Sequence, residues 1–192
     1  MTAIDASATS PVPQRVEHPT DVSLLAHVMR VYKPDCRYLR TATVGTDEKG
    51  RTVARCTFGI PAPFYIDDTG HFNAVEFNLC YNQMLYYSVA KSVKEGMTPP
   101  FARWSMDDYW RRQLPDFLIV DFHSTFSKGV RAHHFYGELT FEHVRESAGG
   151  RNWSPMIVAD TTCRYWDDHG GHCKGEVRAV VVNPPRPRLE AG

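Results

Sequence analysis

Apolar residues recur at helical spacing at Leu24, Leu25, Val28, Met29 and Tyr32, behind Thr20 or Asp21 as N-cap and ahead of Pro34. This predicts a helix over residues 20–32. Two runs rich in β-formers, 37–45 and 51–60, flank Thr46-Asp47-Glu48-Lys49-Gly50 and predict a hairpin with glycine at its turn. After an irregular link through Pro61 and Pro63, a long stretch from Ala74 to about Glu95 is apolar on most sides and is closed by Gly96. It reads as a buried helix. Ser105, followed by Asp107 and Asp108, opens a short helix to about Gln113. Four β-runs complete the pattern, at 117–126, 130–144, 156–166 and 172–182, separated by glycine-containing turns at 127–129, 148–150 and 167–171. One long helix with a hairpin before it and four strands after it is an α+β arrangement in a single domain over residues 20–183.

The ends read differently. Residues 1–19 are rich in Ala, Ser, Thr and Pro and are expected to form a flexible leader; they lack the apolar segment of a signal peptide. Residues 184–192, beginning Pro184-Pro185, are expected to form a flexible tail. The four late strands leave a sheet edge that needs covering, so at least a homodimer is expected, or a higher homo-oligomer.

Composition narrows the function. The chain has 192 residues, 22 Lys plus Arg and 22 Asp plus Glu, so no bulk basic field favours nucleic acid. No apolar run reaches the roughly 20 residues of a membrane span. Five cysteines in no disulfide framework fit a cytoplasmic protein. His169, His172 and Cys173 surround a Gly-Gly turn in no zinc-ligand spacing, and His133 and His134, read as strand residues, point to opposite faces, so no metal is expected. No G-x-S-x-G, G-x-G-x-x-G or P-loop is present, and Cys80 reads as an inert core thiol.

The densest polar cluster lies at the entry to the long helix: Tyr65, Asp67, Asp68, Thr69, His71, Asn73, Glu76, Asn78 and Asn82. A helix N-terminus offers unpaired N–H groups and partial positive charge to a carbonyl oxygen that gains charge. His71 stands directly before it with a side chain suited to proton transfer. The same residues also read as ordinary helix-start chemistry, because Asn73-x-x-Glu76 has capping-box spacing and Asp67 to Gly70 has turn composition. Asn78 and Asn82 share a helix face with Val75, Leu85 and Val89. On a buried stripe these amides need partners, either a ligand carbonyl or the backbone of a covering strand. Lys33 and Arg37 are candidate anion ligands, although solvated cations at a helix end are equally ordinary.

Three blocks, Tyr32-Lys33-Pro34-Asp35-Cys36-Arg37-Tyr38-Leu39, Phe64-Tyr65-Ile66-Asp67-Asp68-Thr69-Gly70-His71-Phe72-Asn73-Ala74-Val75-Glu76-Phe77-Asn78 and Tyr81-Asn82-Gln83, resemble the FcoT-like family over roughly residues 20–183. Its members are hotdog-fold proteins, some acyl-CoA thioesterases and others (2E)-enoyl-[acyl-carrier-protein] glycyltransferases of isonitrile lipopeptide and β-amino-acid pathways. The resemblance implies a long central helix wrapped by a curved antiparallel sheet. It implies that Tyr65 and His71 form a catalytic pair, that Asn73 and Asn82 bind the acyl thioester, and that Tyr32 lines the pocket. The implied activity is Michael addition of glycine to the β-carbon of an enoyl thioester on an acyl carrier protein, followed in some members by hydrolysis to an N-carboxymethyl-3-amino acid. No cofactor is implied. On this reading His71 deprotonates glycine, backbone N–H groups of Phe72 and Asn73 hold the oxyanion with Asn78 and Asn82 beside the thioester, and Lys33 or Arg37 takes the glycine carboxylate. The alternatives are a long-chain acyl-CoA thioesterase, with Glu76 or His71 activating water, and a non-catalytic acyl-thioester binding module.

Overall fold

The computed structural model describes residues 16–151 and 154–185; the leader as far as residue 15 and the tail from residue 186 lie outside the described residues. The chain runs β1 (Glu17–His18), α1 (Val22–Val28), β2 (Leu39–Thr46), β3 (Thr52–Phe58), α2 (Ala74–Glu95), α3 (Met106–Arg112), β4 (Phe117–Lys128), β5 (Phe135–Ser147), β6 (Met156–Trp166) and β7 (His172–Val182). All strands join one antiparallel seven-stranded sheet in the order β1-β2-β3-β5-β6-β7-β4. With α2 packed on it, this is the α+β hotdog arrangement.

Helix α2 is defined at both ends by local chemistry. Asn73 caps it and closes a capping box with Glu76, and Gly96 ends it at φ 66°, a left-handed conformation that glycine adopts without penalty. Along its length Phe77, Cys80, Tyr81, Met84, Tyr87 and Val89 are fully buried. Three polar contacts fix the packing from inside. Tyr81 Oη lies 2.8 Å from Thr161 Oγ1, Tyr165 Oη donates to Phe77 O at 3.3 Å, and buried Gln83 accepts from the amides of Tyr38 and Leu39 while donating to Cys36 O. An unpaired buried amide costs about 1–3 kcal/mol, so Gln83 ties the start of β2 to the helix. On β7 buried and exposed residues alternate, with Cys173, Gly175, Val177 and Ala179 turned to the core.

Several boundaries differ from the sequence pattern. Glu17 and His18, inside the expected leader, pair with Gly45 and Val44, and Thr20 Oγ1 accepts from Ala42 N, so the leader's end joins the sheet. Helix α1 stops at Val28 and tightens into a 3-10 turn, Met29–Val31, because Pro34 holds Lys33 extended. The strand expected from residue 130 begins at Phe135. Residues 130–133 instead bond elsewhere: Phe72 N–H donates to Val130 O, Ile60 N–H to Ala132 O, and His133 Nδ1 to Ile60 O. His133 and His134 are therefore loop residues ahead of β5, not opposite faces of a strand.

Candidate active site

The link over residues 61–73 brings its polar side chains to the first turn of α2. Tyr65 Oη lies 2.9 Å from Glu76 Oε1, where it donates, and 2.6 Å from Asn73 Nδ2, which it accepts. Glu76 is buried at 1% exposure and also accepts the Asn73 N–H at 3.1 Å. Asn73 Oδ1 takes the Val75 N–H at 2.9 Å. Tyr65, Asn73 and Glu76 thus form one closed network. Burial, then the hydrogen bond to Glu76, raises the Tyr65 phenol above its usual value, so it is a neutral donor at working pH.

His71 is exposed and stands just outside this network; among the described residues no hydrogen bond joins it to Tyr65. Its Nδ1 lies 3.0 Å from Thr69 O. A carbonyl only accepts, so Nδ1 carries a proton, and in the neutral ring Nε2 is the nitrogen with the lone pair. That is the arrangement of a nitrogen able to take a proton.

Two expectations need correction. Phe72 N–H donates to Val130 O at 2.8 Å and Asn73 N–H to Glu76, so neither amide is available as an oxyanion donor. The pairing of the loop with residues 130–132 and the capping box consume both, and the Phe72 ring is buried against Phe77, Phe135 and Tyr165. Of the amides that open α2, Ala74 N–H has no acceptor among the described residues. The second correction concerns Asn78 and Asn82. They do not sit on a buried stripe: Asn78 is exposed, Asn82 partly so, and Val75 is 47% exposed. Asn82 Nδ2 donates to Asn78 O and Oδ1, each at 3.1 Å, so the Asn82 donor is spent on Asn78 on the outer side of the helix. Leu85 and Val89, further along, are buried as expected.

Tyr32 Oη is buried without a hydrogen-bond partner, 6.2 Å in ring separation from Tyr86, and burial pushes its phenol far up. Tyr38, which sequence reasoning passed over, is a second such group. Its Oη makes no full hydrogen bond, and burial pushes it up to about 12, with Cys36, Cys80 and Glu76 adding to the shift and the Phe64 amide opposing it. Its only signal in sequence was its place in the Cys36-Arg37-Tyr38-Leu39 block. Lys33 is exposed, and Arg37 donates to Tyr32 O at 3.0 Å; neither is hydrogen-bonded to Tyr65, His71 or Glu76. Cys80 is fully buried and its thiol is pushed well up by burial, which leaves it inert.

The sequence profile of the FcoT-like thioesterase domain matches residues 27–181. A Streptomyces coeruleorubidus protein named (2E)-enoyl-[ACP] glycyltransferase is 52% identical over 168 residues, covering 86% of this chain and 99% of its own length. A Mycobacterium marinum protein of the same name is 34% identical over 163 residues, covering 84% of this chain and 86% of its own. Among solved structures, a mutant thioesterase from Pseudomonas aeruginosa aligns over 84% of this chain and 94% of its own, at 12% identity and a TM-score of 0.44. The length of the profile match and the identity to near full-length relatives place this chain in the FcoT-like thioesterase domain family.

Proposed function

We propose that this protein adds glycine to the β-carbon of an α,β-unsaturated acyl thioester carried on an acyl carrier protein. The observation that carries the reading is the 52% identity, over nearly the whole length of the relative, to a (2E)-enoyl-[ACP] glycyltransferase. The relatives are named for glycyl transfer, which favours addition over acyl-CoA hydrolysis or binding without turnover.

The side chains suit each step. Glycine at neutral pH carries an ammonium group, which is no nucleophile. His71 Nε2, with its proton fixed on Nδ1 by Thr69, accepts one ammonium proton. The freed lone pair forms the C–N bond at the β-carbon, and the C=C π pair moves toward the thioester oxygen as an enolate. Protonated His71 then returns its proton to the α-carbon, and the product nitrogen keeps its two hydrogens as a secondary ammonium. Neutral Tyr65, held by Asn73 and Glu76, lines the site beside this chemistry with its proton donated to Glu76. The sequence of steps needs proton transfer and charge stabilisation alone.

Within the same reading the functional unit runs from β1 to the end of β7, residues 17–182, in the cytoplasm and as a homo-oligomer. Strand β4 is a terminal strand of the sheet and exposes Leu118, Val120 and Phe126 in the single chain, as a face awaiting a second copy does. No helix among the described residues is long and apolar enough to cross a membrane. Incubation with an enoyl-carrier-protein, with and without glycine, followed by intact-mass spectrometry, tests the activity. A glycine-dependent gain of one glycine mass supports it; glycine-independent release of free acid, or no change, overturns it.

A further inference from the structure

Gly70, at φ 71°, turns the chain so that His71 pairs with Arg131 in an isolated antiparallel bridge. The neighbouring bond runs from Phe72 N–H to Val130 O, which makes His71 and Arg131 the non-hydrogen-bonded kind of pair. Directly opposed residues of this kind project from the same face, with Cβ atoms about 4.5–5.5 Å apart. Arg131 is therefore the cation the backbone sets beside His71.

The surroundings of Arg131 leave its charge unmatched. Its Nη1 lies 3.0 Å from His169 Nε2. A guanidinium only donates, so His169 accepts as a neutral ring. Lys128 Nζ donates to His169 O at 3.2 Å, so two cations converge on one neutral residue. Neither makes an ion pair among the described residues. The carboxylates nearby are engaged: Asp167 accepts the backbone amides of Arg131, His169 and Gly171, Asp168 accepts from Tyr136 Oη, and Asp68 faces His133. Asp67 is exposed and forms no ion pair among the described residues.

We propose that Arg131, flanked by Lys128, is the carboxylate site for the amino-acid nucleophile, and that it makes the enzyme select α-amino acids over simple amines. This rests on the addition reading above. In an α-amino acid the nitrogen and the carboxylate carbon are about 2.5 Å apart. A carboxylate gripped by the Arg131 fork therefore holds its own amine within reach of the opposed His71 ring. A planar guanidinium suits that grip because it binds a carboxylate through two parallel hydrogen bonds. The phosphate of a carrier arm lies many bonds from the thioester and has no reason to sit beside the base. Lys33 and Arg37 have no such pairing with His71.

The test is steady-state addition to an enoyl-carrier-protein by wild type, Arg131→Gln, Arg131→Lys and Arg131→Gln/Lys128→Gln, with glycine and with glycinamide, which lacks the carboxylate. All four should show the same circular-dichroism spectrum. Wild type should prefer glycine. Arg131→Gln should raise KM for glycine by roughly 10–100-fold, the worth of a charge-assisted contact, with KM for the thioester within about twofold of wild type. The double variant should lose the preference for glycine over glycinamide, and Arg131→Lys should recover part of it. Unchanged glycine KM in the folded double variant, or a rise confined to the thioester KM, overturns the assignment while the addition reading stands. A wild type that adds no glycine overturns both.

Discussion

Asn73 joins the stability of α2 to its chemistry, and two substitutions separate them. Asn73→Ala removes the acceptor for the Val75 N–H and the amide donor to Tyr65 Oη. Losing an N-cap side chain costs about 0.5–2 kcal/mol, and a partly exposed neutral hydrogen bond adds about 0.5–1 kcal/mol, for about 1–3 kcal/mol in all. At about 2–4 °C per kcal/mol for a chain of this length, Tm should fall by about 2–12 °C. Asn73→Ser keeps a cap acceptor but has no amide for Tyr65, so most of the Tm loss should be recovered. If the amide also holds Tyr65 in working position, glycine addition by the serine variant should stay about tenfold or more below wild type, since one hydrogen bond is worth about that factor. Differential scanning calorimetry and the addition assay read the two effects. An alanine variant that melts with wild type refutes the cap argument. A serine variant with full activity removes the amide from the site and leaves Asn73 a structural residue.

Other outcomes follow from the same geometry. His71→Ala should fold and bind enoyl thioester, with addition at neutral pH down by roughly 10²–10⁴-fold and a smaller deficit in alkali, where glycine loses its proton unaided; wild-type rates at neutral pH would remove His71 from the mechanism. Burial pushes Tyr38, Tyr87 and Cys173 each up to about 12, from the usual 10.0 for a phenol and 9.0 for a thiol. The unfolded chain ionises these groups first, so their contribution is intact below pH 9 and is lost as pH rises towards 12; a urea midpoint that stays flat across that window contradicts this. Multi-angle light scattering at micromolar concentration should give at least twice the chain mass, and a monomer would mean that the exposed edge of β4 is not an interface.

What was legible in the sequence was what is decided locally. The Asn73-to-Glu76 spacing and Gly96 mark both ends of α2, and β6 and β7 run over the residues that their alternation and flanking glycines indicate. What escaped depends on partners distant in sequence. The bridge between His71 and Arg131 joins residues 60 positions apart and carries no local signature, yet it shortens β5 and occupies the Phe72 amide. The pairing of Glu17 with Gly45 is invisible in a Pro-rich leader for the same reason. Asn78 and Asn82 failed differently. Helical spacing places them on one face correctly, but periodicity does not say which part of that face the sheet covers.

A capping box and an oxyanion hole compete for the same amides. Here the box takes the Asn73 N–H, the cap side chain takes Val75 N–H, and the loop bridge takes Phe72 N–H. Each bond stabilises the start of α2 and withdraws a donor from a thioester oxygen. Sharing one amide between two acceptors would weaken both contacts, so the helix start cannot serve as cap and anion cradle through the same groups. Among the described residues, the Ala74 N–H stays uncommitted at the helix start, and the buried hydroxyls of Tyr32, Tyr38 and Ser88 have no hydrogen-bond partner. A buried hydroxyl left unpaired costs about 1–3 kcal/mol in the folded chain, and a bound carbonyl or enolate oxygen would relieve that cost. The capping box and the loop bridge therefore leave the Phe72 and Asn73 amides no part in holding the charge that develops during addition.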